Sequence, residues 1–182
     1  IEALSAHLGI PVQRGPEEVK DLPQFFGKAA HTYDLSQYQT KIFAEIVDAP
    51  NISVEAIIER AHYYKSNGAD VIDIGCLPDT PFPHLSEAIR TLKQEGFLVS
   101  IDSLQDQDLL AGARAGADYM LSLTSKSLWI ADEVSATPIL IPDQHGDIDS
   151  LEASINALTA KNRDFIVDPI LDPLHFGFTE SV

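Results

Sequence analysis

The sequence predicts an α/β protein built as a parallel β/α barrel, and three observations predict it. Short continuous apolar runs recur at intervals of roughly 20 to 30 residues, the length of one βα unit. Segments with helical periodicity separate those runs. The runs do not alternate polar with apolar, so both faces of each strand are buried, as in a parallel sheet with helices outside it.

Residues 42–47 form the first run, which ends at Asp48. Val54, Ile57, Ile58, Ala61 and Tyr64 share one helical face; Ser53 is a natural N-cap and Asn67-Gly68 a natural stop. Residues 71–74 are the second strand and 85–94 the second helix, ended by Gly96. Residues 97–101 are the third strand, closing on Asp102, and 105–115 the third helix, ended by Gly116. Residues 119–123 are the fourth strand, followed by a weak helix over 125–135. Residues 139–141 are the fifth strand, running into Pro142-Asp143. Leu151, Ile155 and Leu158 align a helix over 151–159, and residues 165–167 are the sixth strand, running into Asp168-Pro169.

A doubly wound nucleotide-binding sheet would show a glycine-rich turn after its first strand. Here that turn is Asp48-Ala49-Pro50-Asn51, without glycine, which favours the TIM-type barrel. Residues 39–182 then supply about six of the eight βα units of such a barrel. An open sheet would leave strands one and six with unpaired edges, so the chain is expected to be incomplete at its C-terminus. Residues 1–38 carry Pro11, Pro16, Pro23 and the Gly15-Pro16 turn signal. They are read as the tail of a preceding domain or a linker, packing outside the barrel and adding no strand to it.

The chain has 182 residues, of which 45% are hydrophobic and 22% charged, enough for one domain with a real core. Its single cysteine excludes an internal disulfide and points to a reducing, cytoplasmic setting. The net charge of −16 argues against nucleic acid as a partner. No run approaches the roughly 20 apolar residues of a membrane span. The chain starts at Ile1 with no signal-peptide pattern, so its N-terminus is read as cut from a longer chain.

Side chains at the C-terminal ends of parallel strands face the functional mouth. The candidates there are Glu45, Asp48, Asp73, Asp102, Ser122, Thr124, Asp143 and Asp168. A strand-end aspartate can simply cap the next helix, a reading that suits Asp48 and Asp143 in their loops. It suits Asp73 and Asp102 less well, because each interrupts an apolar run. A ring of carboxylates can hold a divalent metal through oxygen ligands. It can also hold a neutral heterocycle, because a carboxylate offers two coplanar acceptors to adjacent N–H and NH₂ groups, as on a 2-amino-4-oxo pyrimidine edge. Asp73 and Asp168 are best placed for the second role. Cys76 has no histidine partner evident in the sequence and reads as a packing thiol.

Gly68-Ala69-Asp70-Val71-Ile72-Asp73-Ile74-Gly75 resembles the second-strand signature of the dihydropteroate synthases and their pterin-binding relatives. Val99-Ser100-Ile101-Asp102-Ser103 resembles their third-strand signature. Ala115-Gly116-Ala117-Asp118 and Phe165-Ile166-Val167-Asp168-Pro169 follow in the family order, so the similarity covers about residues 41–178. The resemblance implies that Asp73 and Asp168 hold a reduced pterin, that Asp102 lines the pocket with Ser122 nearby, and that Glu45 and Asp48 lie where Mg²⁺ and pyrophosphate would bind.

The departures are specific. Glu45-Ile46-Val47-Asp48-Ala49-Pro50 replaces the family's first-strand Asn-Val-Thr-Pro-Asp-Ser-Phe, and its fourth-strand asparagine aligns with Leu121. The glycine pair after strand two is Gly75-Cys76, and the turn after Asp168-Pro169 is Ile170-Leu171-Asp172-Pro173. This pattern is most similar to the dihydropteroate synthase-related proteins, whose longer chains carry an extra N-terminal domain.

The resemblance therefore implies a pterin-binding enzyme, a transferase of folate or methanopterin-type cofactor biosynthesis, with a homodimer as a further expectation. The alternatives are a Mg²⁺-dependent barrel aldolase or lyase using the same carboxylates, and a non-catalytic pterin-binding protein.

Overall fold

The computed structural model describes residue 7 and residues 22–29, 39–173 and 175–181. The chain divides into two units, Ile1–Gln39 and Thr40–Val182. Most of the first unit lies outside the described residues, and so does most of the expectation for residues 1–38. Within it, α1 (Leu22–Phe25) is a single turn closed by the Phe26 N–H on the Leu22 carbonyl at 3.1 Å.

In the second unit the six apolar runs become six strands: β1 (Phe43–Ile46), β2 (Val71–Gly75), β3 (Leu98–Asp102), β4 (Tyr119–Leu123), β5 (Thr137–Leu140) and β6 (Ile166–Val167). Every neighbouring pair is parallel and the spatial order is the chain order. That order and the helices between the strands make an α/β sheet of the TIM-barrel kind. The sheet is not closed among the described residues, and β1 and β6 are its edges.

The helices are α2 (Val54–Ser66), α3 (Leu85–Gln94), α4 (Asp106–Ala115), α5 (Ile130–Glu133), α6 (Ile148–Ala160) and the short α7 (Phe178–Ser181). Ser53 caps α2 as expected, its hydroxyl accepting the Ala56 N–H at 3.3 Å. Gly116 ends α4 with φ +113, a conformation that residues with a Cβ rarely adopt. The fifth strand, read over 139–141, runs Thr137–Leu140, and two helix expectations move. The helix read over 151–159 begins earlier, at Ile148, because the Asp147 carboxylate caps it by accepting the Ser150 N–H at 3.1 Å. The weak helix read over 125–135 shrinks to α5, because the Ser125 N–H and hydroxyl are held by Asp143 at 2.9 and 2.7 Å.

The main apolar core lies between sheet and helices. Ile72, Ile74, Val99, Ile101, Met120 and Leu140 present one sheet face to Ile57, Ile89, Leu92, Leu109 and Leu158. At the strand N-terminal ends, Asp70 and Asp118 repeat one device. The Asp70 carboxylate accepts the Ile42 N–H at 2.9 Å, and the Asp118 carboxylate accepts the Val99 N–H at 2.8 Å. Each thereby fixes the start of the preceding strand. Lys93 reinforces the second by donating to both Asp118 oxygens, at 2.9 and 2.6 Å.

Candidate functional site

Register places the carboxylates. Glu45 on β1 lies beside Asp73 on β2, and Asp73 beside Ser100 on β3. Asp102 lies two residues beyond Ser100, on the same sheet face, beside Gly75. Glu45, Asp73 and Asp102 each offer an oxygen within 4.8 Å of the others. Asp48 is elsewhere: it pairs with Arg60 of α2. Of the two residues expected at a metal, Glu45 gathers with Asp73 and Asp102, whereas Asp48 pairs with Arg60.

Gly75 makes room for this cluster. A Cβ there would sit 2.5 Å from Glu45 Oε1, so only glycine lets the glutamate lie across the end of β2 as it does. Like charges and burial act together on the acids. Asp73 is 4% exposed, and loss of water raises its carboxyl from 3.8 to about 7, with Asp102 and Glu45 adding to the rise. Glu45 is raised as well, first by burial and then by Asp102.

A serine from the next strand holds each of the two aspartates. The Ser100 hydroxyl donates to Asp73 Oδ1 and the Ser122 hydroxyl donates to Asp102 Oδ1, both at 2.6 Å. Ser100 is a partner of Asp73 that the strand-end pattern alone does not single out. Its signal was a polar residue inside the apolar run Val99 to Ile101, two positions before Asp102.

Beside the cluster a cavity of about 610 Å³ opens among the loops after the strands. Asp102, Ser122, Thr124 and Asp143 supply its polar lining, and Leu104, Pro142 and Ile170 supply apolar lining. The Ser125 hydroxyl and N–H lower the Asp143 carboxyl from its ordinary value. Burial pushes the Cys76 thiol up to about 12, with Asp108 and Asp102 contributing, which favours the protonated sulfur at neutral pH.

Asp168 does not join the cluster. It is exposed at the end of β6, and its Oδ1 accepts the Ile170 N–H at 2.8 Å. That bond closes a turn that holds Ile170 at φ +55, where it lines the cavity. His84, in the loop after β2, is tied to the Ile52 carbonyl at 2.8 Å.

The 7,8-dihydropteroate synthase of Vibrio fischeri superposes with a TM-score of 0.60 and 18% identity, over 73% of this chain and 62% of that one. The chain has the fold of the dihydropteroate synthases. The Yersinia pestis synthase, solved with a pterine-sulfa conjugate, matches with a TM-score of 0.60 and 19% identity over 80% of this chain and 66% of its own. The Xanthomonas albilineans synthase, solved in complex with 7,8-dihydropteroate, matches with a TM-score of 0.58 and 18% identity over 71% and 60%. The chain therefore spans less than two thirds of these synthases.

No family model matches the sequence. An uncharacterized protein of Methanocaldococcus jannaschii is 29% identical over 80% of this chain, which spans only 32% of that protein. No helix among the described residues is long and apolar enough to cross a membrane.

Proposed function

We propose that this chain builds the larger part of a reduced-pterin site in a transferase of the dihydropteroate synthase type, within folate or methanopterin-type cofactor biosynthesis. The observation that supports the reading best is the placement of Asp73 and Asp102. They are two carboxylates on adjacent parallel strands, each oriented by a serine, with Asp102 lining a cavity large enough for a bicyclic ring. The pterin complexes of similarly folded synthases support it further.

In this reading Asp73 takes the N–H and NH₂ edge of the ring. Its position in a nearly dry setting makes each contact of the ionised carboxylate strong, because no water competes for the donors. Asp102 and Ser122 line the ring's flank. Asp168, which lies outside the cavity lining, turns Ile170 into that lining and in this reading meets the ring with its other oxygen.

Calorimetric titration of the full-length protein with a dihydropterin tests this. Each charge-assisted contact is worth about 1.5–3 kcal/mol, so Asp73→Asn and Asp168→Asn should each weaken binding by about tenfold to a hundredfold. Equal binding by wild type and both variants would remove these aspartates from the pterin site.

One observation favours a second reading, a Mg²⁺-dependent aldolase or lyase. Three carboxylates gather within 4.8 Å. Six-coordinate Mg²⁺ at about 2.1 Å spans ligand oxygens no more than about 4.2 Å apart, so a small contraction would enclose the ion. If Mg²⁺ raises the melting temperature and a dihydropterin does not, the second reading replaces the first.

A further inference from the structure

The two serine–aspartate pairs reach the same 2.6 Å geometry by different routes. Asp73 has Ser100 as its direct neighbour in register, so an ordinary strand brings hydroxyl and carboxylate together. Asp102 has Leu121 as its neighbour in register, and a leucine can donate nothing. The hydroxyl comes from the following residue, Ser122, and an unbroken strand would point Ser122 the other way, on the face of Met120.

A bulge resolves this. Met120 pairs with Pro138 and Leu123 with Leu140, so three steps on β4 match two on β5. Ser122 carries the irregularity with φ +64, in the left-handed region that residues other than glycine, asparagine and aspartate seldom adopt. Burial shows the outcome. Met120 and Leu123 are fully buried in the layer against the helices, while Leu121 and Ser122 both lie off that layer, half-buried. Ser122 and Asp102 then line the same cavity. The Asp102 backbone is fixed separately, its carbonyl accepting the Cys76 N–H at 2.9 Å.

We infer that Ser122 is a positioning residue, turned to the mouth by the β4 bulge so that its hydroxyl fixes the Asp102 carboxylate and leaves the second oxygen of Asp102 for the ligand. This rests on the pterin reading only for the ligand's identity. The bulge does for Asp102 what plain register does for Asp73.

Two substitutions separate the hydroxyl from the backbone. Ser122→Gly accepts the left-handed conformation and removes the donor. Ser122→Asn also tolerates it and restores a donor. Both are made in the full-length protein and checked first by thermal melting, where neither is expected to lower the midpoint appreciably.

Dihydropterin titration should show Ser122→Gly weakened by about tenfold and Ser122→Asn recovering most of the loss. Binding by Ser122→Gly equal to wild type would overturn the inference. If wild type itself binds no dihydropterin, the pterin reading fails and a ligand-free readout decides the inference. That readout is the carboxylate carbon-13 shift of Asp102 in aspartate-labelled protein. A signal that moves in Ser122→Gly and returns in Ser122→Asn supports positioning; a signal unmoved in Ser122→Gly overturns it.

Discussion

Ser100 donates its hydroxyl to Asp73 Oδ1 at 2.6 Å, in a place where Ser100 is fully buried and Asp73 is 4% exposed. The bond favours the charged carboxylate, whereas burial and the neighbouring acids favour the protonated one. Burial wins, and the group titrates near 7 instead of 3.8. One hydrogen bond does not replace the several waters a carboxylate loses on burial.

The folded chain therefore keeps a proton on Asp73 that the unfolded chain releases above about pH 4. Below that pH both states are protonated and the group costs nothing. Stability should fall as pH rises from about 4 to 7, by up to roughly 4 kcal/mol, and the loss is complete above 7. Glu45 shifts in the same direction. In Asp73→Asn this slope should flatten, and the variant should melt above wild type at pH 8. Calorimetric scans at pH 5, 6.5 and 8 check it; parallel curves for the two proteins would show that Asp73 is ionised throughout.

Gly112 of α4 packs directly on Ile101 of β3, and a Cβ there would lie 2.8 Å from Ile101 Cγ1. Gly112→Ala gains helix propensity but overpacks the interface, and the clash should prevail with a net loss of about 1–3 kcal/mol. Ile101→Val in the Gly112→Ala background should recover part of that. Urea unfolding of the double-mutant cycle measures the coupling; strict additivity would mean the helix moves aside freely.

Asp118 combines the Lys93 ion pair with the bond to the Val99 N–H, and both ionic side chains are about 30% exposed. The ion pair alone adds little at that exposure, whereas an unmet N–H at a strand start costs more. Asp118→Asn, which keeps an acceptor, is expected to cost about 1 kcal/mol and Asp118→Ala about 2–3 kcal/mol, read from denaturant midpoints.

With its thiol near 12, Cys76 should resist alkylation. Iodoacetamide at pH 8 should modify the folded protein at least about a hundredfold more slowly than the urea-unfolded chain. Comparable rates in the two states would place the sulfur in a wetter setting than its burial indicates.

Periodicity made the barrel units legible, because a strand buried on both faces and a one-sided helix leave different patterns. Leu85–Gln94 was read to the residue, its ends marked by the start of its apolar pattern and by Gly96. The start of α6 was missed because Asp147 caps it ahead of the first aligned leucine. At the site, strand-end position brought out Asp73 and Asp102 but could not pair Glu45 with them instead of with Asp48, since that needs the register of β1 on β2. Ser122 was named as a mouth residue, yet the bulge that turns it there is a property of two strands together.

The motifs that first made this chain recognisable, Gly68-Ala69-Asp70 and Ala115-Gly116-Ala117-Asp118, do their work at the strand starts, where Asp70 and Asp118 hold the neighbouring backbone. Those residues stand at the opposite end of the sheet from the carboxylate cluster and the cavity. Substitutions at the mouth can therefore leave these strand-start contacts intact, and the two motifs carry information about how the sheet is held and none about a reaction.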